Sequence, residues 1–310
     1  YNMVDRMYIG HIKDVGATAL TGVGVTFPLI MIISAFAALM GMGGAARASI
    51  LMGKKDQEGA ERILGNCFSA LFLTSVVLTV LVLVFQEPLL MMFGASSNTI
   101  DYALEYMNIY ALGTIFVQMT LGLNNFISAQ GFSKISMLTV VIGAVTNIVL
   151  DPIFIFGFHM GVRGAALATI ISQAASCAWV LFFLFGKKTV LKIRPKYFRL
   201  KAGIILPGLA LGFSTFVMQA SESIILICFN SSLQNYGGDI AVGAMTVLSS
   251  VMQFAMLPLQ GLGQGAQPII SYNYGAKNAE RVKKAFRLLL TASLCYSVTL
   301  WALVMAVPQA

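Results

Sequence analysis

Two polar side chains on one face of a long apolar segment have the chemistry of a cation site. Residues 135–158 are uncharged except for Asp151, and Asn147 lies four residues earlier, so both side chains project from the same face of a helix. Pro152 removes a backbone donor and leaves the carbonyl of Ile148 free to bind another group. A charged residue at the centre of a membrane helix costs about 2.5–3.5 kcal/mol even on the lenient scale. The segment therefore predicts an ion or proton site inside a membrane protein.

Three residues from other segments lie at a depth similar to that of Asp151. Counted from the predicted segment ends at about 1.5 Å per residue, Asp5, Tyr106 and Thr169 fall within about 10 Å of one level. Taken singly, either hydroxyl is more often a helix-packing group. Together, two carboxylates, two hydroxyls, an amide and the freed carbonyl suit a hard monovalent cation or shared protons. The sequence therefore predicts that Asp5, Tyr106, Asn147, Asp151 and Thr169 lie together at a site for Na⁺ or H⁺.

The rest of the chain is as apolar as this segment. Hydrophobic residues make up 58% of the 310 residues and charged residues only 10%, which is far from the balance of a soluble domain. Nearly every apolar run reaches the roughly 20 residues that a membrane-spanning helix needs. The nine predicted spans are 1–10, 15–46, 63–86, 106–133, 135–158, 164–186, 202–238, 240–276 and 288–310. The sequence therefore predicts an all-α polytopic membrane protein.

The net charge of +8 is distributed as membrane topology requires, not as nucleic-acid binding requires. Most basic residues follow the second, fourth, sixth and eighth spans, whereas the opposite loops hold only Lys13 and Arg163. The positive-inside rule therefore places the basic loops and the N-terminus in the cytoplasm of a multi-pass protein of the cell membrane. Residues 187–201, the most basic loop, are interpreted as a cytoplasmic linker.

An internal repeat predicts the architecture. GMGGAARASILMGKKDQEGAER at 41–62 is similar to GLGQGAQPIISYNYGAKNAER at 261–281, six spans later. An even number of intervening spans means that the two halves share one orientation, which predicts two six-helix bundles in parallel repeat. We expect the chain to be a fragment with about nine of twelve helices: a first bundle at 1–186, the linker at 187–201 and part of a second bundle at 202–310. Residues 41–46 match a dinucleotide fingerprint, but a membrane helix precedes them where a strand is needed.

Several motifs resemble one known family. VDRMYIG at 4–10, FP at 27–28, NIVLDPIFIFG at 147–157 and GAALATIISQ at 164–173 are similar to the first lobe of the multidrug and toxic compound extrusion (MATE) family. GLGQGAQPIISYNYGAKNAERVK at 261–283 resembles the second-lobe signature. MQASES at 218–223 resembles the MepA-like branch of this family, within the MOP flippase superfamily.

The resemblance implies a two-lobed, twelve-helix antiporter that exports amphipathic, often cationic compounds against inflowing Na⁺ or H⁺. It also implies a first-lobe cation site at Asp5, Asn147, Asp151 and Thr169, with Tyr106 nearby. The implied partners are membrane lipids and small cationic substrates, with no nucleic acid and no cofactor besides the coupling ion. We expect a secondary transporter, not an enzyme, that functions as a monomer.

A few residues outside the predicted site carry further expectations. Gln219 and Glu222 share one face of the seventh span, and they either line a second-lobe cavity or pair with a helix outside this chain. Pro28 and Pro152 are expected to kink their helices. The four cysteines are scattered singly and match no metal or disulfide pattern.

Three classes of function are compatible with these residues. Cation-coupled export is the main hypothesis. A flippase for a lipid-linked precursor would share the two-lobed design but would need several basic residues in its cavity for a pyrophosphate. A membrane-embedded enzyme or receptor is the third class, and no P-loop, zinc-protease or nucleophile-elbow motif supports it.

Overall fold

The computed structural model describes residues 2–12 and 16–306, without most side chains of 226–254. The helices are α1 (Asn2–Gly10), α2 (Gly16–Gly53), α3 (Gln57–Met92), α4 (Ile100–Leu112), α5 (Thr114–Ala129), α6 (Ser133–Pro152), α7 (Gly161–Phe185), α8 (Ala202–Gly275) and α9 (Ala279–Ala306). A π-helical turn, Ile153–Gly157, follows α6, and a 3₁₀ turn, Pro195–Tyr197, precedes α8. The described residues contain no β-strand, which confirms the predicted all-α class.

Six helical stretches among the described residues are long and apolar enough to cross a membrane. The sequence predicts nine spans, and three of them, 1–10, 106–133 and 240–276, are not among these six stretches. α1 has only 9 residues, the predicted fourth span is divided into α4 and α5, and part of the predicted eighth span lies among the residues without described side chains. The division falls at Gly113, where Ile170 of α7 packs into the space that a side chain would fill.

The structure also shifts the end of the second span. α2 continues to Gly53 instead of ending at 46, so Arg47, assigned to a loop from the sequence, lies inside a helix and is half-buried. Pro28 lies within α2 without ending it. Pro152 ends α6, and in the π-helical turn after it the Phe158 N–H donates to the Ile153 carbonyl at 2.9 Å.

The sequence repeat is also a repeat of local structure. After α2, the Lys55 N–H donates to the Met52 carbonyl at 3.0 Å; after α8, the Lys277 N–H donates to the Tyr274 carbonyl at 3.1 Å. Both lysines adopt positive φ values, 64° and 56°, in the left-handed region that commonly ends helices. The two copies therefore end their helices in the same way.

The next helix begins identically in both copies. The Asp56 carboxylate accepts from the Gly59 N–H at 2.8 Å at the start of α3, and the Asn278 side-chain oxygen accepts from the Arg281 N–H at 3.1 Å at the start of α9. These are N-cap interactions, for which Asp and Asn are preferred residues. The matched turns support the parallel repeat, whereas the domain boundaries stay predictions.

The helix α8 contains two arms that run in opposite directions. Near its start, Gly208 contacts Gly43 of α2, and near its end, Tyr272 contacts Gly53 of the same helix. A straight helix of 74 residues would be about 110 Å long, so its ends could not both reach one half of α2. The chain therefore reverses between them, as the separate predicted spans 202–238 and 240–276 require.

The segment that joins the two repeats is packed against the first bundle. The Gln130 side-chain oxygen accepts from the Thr189 hydroxyl and from the Val190 and Leu191 N–H groups, all at 2.8 Å. Leu191 is fully buried. We call this side of the bundle the linker end; the turns at 53–57 and 275–279 lie there too.

Two apolar clusters fill the first bundle. One surrounds Ile9, Ile33 and Met107 toward the end away from the linker. The other surrounds Leu64 and Phe126 near the linker and includes Leu191. The predicted site lies within the first cluster.

Candidate cation site

The structure brings all five predicted site residues into one buried group. They come from four helices: Asp5 from α1, Tyr106 from α4, Asn147 and Asp151 from α6, and Thr169 from α7. No side chain in the group is more than 2% exposed. Residues more than 140 positions apart in the chain therefore share one small volume.

Asp5 accepts hydrogen bonds from three neutral groups. The Thr169 hydroxyl donates to Oδ2 at 2.7 Å, and the Tyr106 hydroxyl donates to the same oxygen at 3.1 Å. The Asn147 amide donates to Oδ1 at 3.0 Å. Hydrogen bonds to a carboxylate are stronger than those between neutral groups, so these donors hold Asp5 in place.

Asp151 is joined to Asp5 through the same amide. Nδ2 of Asn147 also donates to Oδ1 of Asp151 at 3.1 Å, so the two carboxylate oxygens are no more than about 6 Å apart. Oδ2 of Asp151 and Oδ1 of Asn147 have no hydrogen-bond partner among the described residues. The described side chains, which do not include that of Arg6, supply neither carboxylate with an ion pair.

The sequence of α6 explains why its polar face points inward. Its buried residues recur every three or four positions: Ser136, Thr139, Gly143, Asn147 and Asp151. Val141, Val145 and Val149 on the other side are exposed. A helix that is polar inside and apolar outside is suited to lipid surroundings.

A glycine lets α7 approach the end of α6. A β-carbon at Gly164 would lie 2.8 Å from the backbone carbonyl of Phe154, within the π-helical turn that follows α6. Thr169 is five residues further along α7 and reaches Asp5 and Asn147. The close approach therefore places the α7 hydroxyl beside the Asn147 amide of α6.

This arrangement is rich in oxygen acceptors. Two carboxylates, two hydroxyls and an amide oxygen can coordinate Na⁺ or share protons. The described residues contain no group of three or more His, Cys, Asp or Glu side chains that could hold a metal ion.

Gln219 and Glu222 lie away from this group on α8. Glu222 is exposed and Gln219 is half-buried, and the Gln219 carbonyl accepts from the Ser223 hydroxyl at 3.1 Å. Their predicted role in a second cavity stays a prediction.

Sequence reasoning missed a set of buried polar residues between the site and the linker end. They include Gln173 and Ser176 on α7 and Ser136 and Thr139 on α6. Asn124 of α5 contacts this set, through a hydrogen bond to the Ser136 carbonyl at 3.3 Å. Their spacing of three or four residues on the faces that carry Thr169 and Asn147 was the available signal.

Comparisons with known proteins agree on one family. The MatE family model matches residues 1–153 and 214–310. The multidrug export protein MepA of Staphylococcus haemolyticus (strain JCSC1435) is 27% identical over 307 residues, which cover 97% of this chain and 67% of that protein. MepA of Staphylococcus aureus (strain N315) is 26% identical over 290 residues, or 94% of this chain and 63% of that protein.

A solved structure shares the fold. The MATE multidrug transporter DinF-BH, determined in complex with R6G, superposes with a TM-score of 0.92 at 35% sequence identity. The match covers 100% of this chain and 69% of that one. The chain therefore spans about two thirds of the length of these relatives.

Proposed function

Because the chain belongs to the MatE family, a family of secondary transporters and not of enzymes, we propose that it forms part of a cation-coupled antiporter that exports amphipathic, cationic compounds across the cell membrane. The coupling ion is Na⁺ or H⁺.

One observation carries the proposal: two buried carboxylates, without a described cationic partner, are bridged by one amide. Two full negative charges at most about 6 Å apart repel by about 3 kcal/mol at an effective dielectric constant near 20. A bound cation or proton removes that repulsion and satisfies the unpartnered oxygen of Asp151. A pair without such a ligand would only destabilise the bundle.

The coupling follows from the cost of burying this charge. When the cavity is open to the outside, the acid pair binds Na⁺ or H⁺. Neutralisation of the acid pair lowers the free-energy cost of excluding water from the cavity. The two lobes can then close on the outer side of the membrane and open on the inner side. A cationic substrate competes for the same negative charge, and this mutual weakening of binding is the reciprocity that an antiporter requires.

The direction and cargo are supported by the relatives. The MepA proteins are named for multidrug export, and the DinF-BH structure contains R6G. Acidic side chains in the first bundle favour cationic cargo because opposite charges attract in a cavity of low dielectric.

A flippase for a lipid-linked precursor is the alternative. Its pyrophosphate would require several converging cations. The predicted spans of the first bundle hold Arg6 as their single cation. Arg47 is a half-buried guanidinium on α2, far along the helix from the acid pair. The charges of this bundle therefore favour the export of cations.

The proposal is tested by efflux of a cationic dye from cells or from vesicles that carry a Na⁺ or a pH gradient. We expect gradient-driven efflux by the native protein and its loss in Asp151→Asn. The matched control is Glu105→Gln. Glu105 is next to Tyr106 in the sequence, but its carboxylate lies at the surface, where Oε1 pairs with the Arg163 guanidinium at 3.0 Å. The control should export normally.

Membrane insertion and the thermal unfolding midpoint are measured for both variants so that misfolding is recognised. Gradient-driven efflux by a folded Asp151→Asn protein would contradict the proposal. Gradient-independent movement of a lipid-linked pyrophosphate, without dye efflux, would favour the flippase.

A further inference from the structure

Below the acid pair, a continuous line of polar residues runs through the first bundle toward the linker end. We call it the polar seam: Asn147, Thr139 and Ser136 of α6; Thr169, Gln173 and Ser176 of α7; and Thr120, Asn124 and Ser128 of α5. From Asp151, directly above the seam, to Ser136 near its lower end, α6 descends about 22 Å, most of the roughly 30 Å of a bilayer core.

Hydrogen bonds between helices connect the upper seam. Asn147 contacts the Thr169 hydroxyl at 3.5 Å, directly beside the acid pair. One turn along α7, the Gln173 carbonyl accepts from the Thr120 hydroxyl of α5 at 3.2 Å. In the next turn, the Ser176 hydroxyl donates to the Thr139 carbonyl at 2.9 Å.

The lower seam continues to the surface between the two halves. The Asn124 amide donates to the Ser136 carbonyl at 3.3 Å, and the Ser128 hydroxyl donates to the Ser136 hydroxyl oxygen at 2.7 Å. Ser128 lines a cleft together with Asn125. The opposite wall of that cleft is formed by α8, with Gln264 and Gln267.

The seam has a surplus of buried acceptors. Three of its oxygens have no partner among the described residues, Asn147 Oδ1, Gln173 Oε1 and Asn124 Oδ1, and neither has Asp151 Oδ2 directly above it. Gln173 is only 6% exposed, so water at the protein surface does not satisfy it. Unpaired buried acceptors are costly, and they are satisfied by groups that donate or carry positive charge.

A packing role does not account for these oxygens. Serine and threonine hydroxyls bonded to backbone carbonyls are ordinary helix-packing groups. A seam made only of such hydroxyls would be complete without a ligand. The amide oxygens of Gln173 and Asn124 lack hydrogen-bond partners among the described residues. Both residues lie on the interhelical faces that the hydroxyls occupy.

We propose that the polar seam is the inward release path for the coupling cation, Na⁺ or a hydrated proton, and that α8 covers its mouth at the cleft. The seam holds the cation and its water by oxygen contacts after it leaves the acid pair. While α8 lies against Ser128 and Asn125, the mouth is closed. When the halves separate at the linker end, the mouth opens, so the cation is released only in the inward-open state.

This inference rests on the proposed cation coupling, and it is tested by Gln173→Leu in vesicles that carry a Na⁺ or a pH gradient. Leucine lacks the unpartnered oxygen and has nearly the same side-chain volume as glutamine. We expect gradient-driven efflux to fall about tenfold, the effect of one lost contact to a charged group. Binding of the cation at the acid pair, measured by the shift in thermal midpoint on adding Na⁺ or lowering pH, should be unchanged.

Gln86→Leu is the matched control. Gln86 also has a buried side-chain oxygen without a partner in the described structure, but it lies on α3 and donates to Asn108, outside the seam. The control should export at the native rate. Equal efflux by folded Gln173→Leu and Gln86→Leu proteins would overturn the proposal that the polar seam is the release path.

Modification of an introduced cysteine tests the seam independently if Gln173→Leu fails to fold. Ser176→Cys is made in a protein whose four native cysteines are replaced, and a small cationic thiol reagent is added from the linker side. If the path is hydrated, the reagent should modify Cys at position 176. An unmodified cysteine would refute the path. Loss of efflux in Asp151→Asn, with full efflux in Gln173→Leu, would reject the seam and leave the proposed function standing. Full efflux in Asp151→Asn would reject both.

Discussion

The amide of Asn147 is the link on which the candidate site depends. An amide nitrogen carries two hydrogens, yet Nδ2 lies 3.0 Å, 3.1 Å and 3.5 Å from oxygens of Asp5, Asp151 and Thr169. The two shorter contacts take the two amide hydrogens to the carboxylates, and the contact to the Thr169 hydroxyl is the longest of the three. The site thus has one bridging donor for two acids, and a cation would complete it.

Replacing that donor should weaken cation binding without removing the acids. In Asn147→Ala, two buried carboxylate oxygens lose their shared hydrogen-bond donor, a change of about 1–3 kcal/mol. We expect the apparent affinity for the coupling cation to fall about tenfold or more, with export restored at higher cation concentration. The measurement is export against Na⁺ or H⁺ concentration. An unchanged half-saturating concentration would show that the amide does not bridge the pair.

The Thr169 hydroxyl makes the shortest contact to Asp5 and offers a matched pair of substitutions. Thr169→Val keeps the shape but loses the 2.7 Å hydrogen bond, whereas Thr169→Ser retains the hydroxyl. We expect the valine variant to lose about tenfold in apparent cation affinity and the serine variant to remain near the native value. Equal affinities for the two variants would assign Thr169 to packing alone.

At the scale of elements, local pattern predicted α6 and α7 because their polar residues recur at helical spacing and their depths could be counted from the segment ends. The meeting of Asp5, Asn147, Asp151 and Thr169 followed from that count. The break at Gly113 could not be predicted, since it depends on Ile170, which is distant in sequence. The extension of α2 past Arg47 was also missed, because a single charge was interpreted as the start of a loop.

The packing of the linker was equally hidden in the sequence, and it leads to a prediction. Gln130 accepts three hydrogen bonds from 189–191, whereas Gln57 donates one to the Val190 carbonyl at 2.8 Å. Gln130→Ala should therefore release the start of the linker more than Gln57→Ala does, at about 0.5–1.5 kcal/mol per bond. Amide hydrogen exchange at 188–193 measures this. Equal protection in both variants would contradict the role of Gln130.

Residues near the start of α3 hold the other end of the linker. The Arg194 guanidinium pairs with the buried Glu61 at 2.6 Å. Nearby, Glu58 accepts from Arg62 at 2.8 Å and from the Tyr197 hydroxyl at 3.0 Å. The linker is thereby attached to the first bundle, so relative movement of the halves would begin beyond it, near the start of α8.

At the scale of the whole molecule, the two repeats meet at glycines. The backbone of Gly53 lies against the Tyr272 carbonyl, and that of Gly275 lies against the Ile50 carbonyl, so the repeat-related glycines make reciprocal contacts. Gly43 and Gly208 make a similar approach. These contacts join the halves at the linker end, which supports a state whose cytoplasmic side is closed under the predicted topology.

Filling one of these contacts should separate the halves. In Gly275→Leu the side chain would meet the Ile50 backbone, whereas Gly261→Leu, also on α8, has no atom within 4 Å of its β-carbon position. We expect a longer distance between spin labels at Lys54 and Ala276 in Gly275→Leu only. The label distance is measured in a protein without native cysteines. An unchanged distance would show that the glycine contact does not hold the linker end closed.

The most direct test of the account is cation binding by the purified protein before and after loss of the acid pair. Thermal midpoints are measured across Na⁺ concentrations at fixed pH, together with proton uptake as pH falls. We expect the native protein either to be stabilised by Na⁺, by about 2.7 kcal/mol at a concentration 100 times the dissociation constant, or to take up a proton that Asp151→Asn does not. In the variant the response should disappear while Glu105→Gln retains it. A folded Asp151→Asn protein that binds Na⁺ or protons as the native protein does would contradict the account.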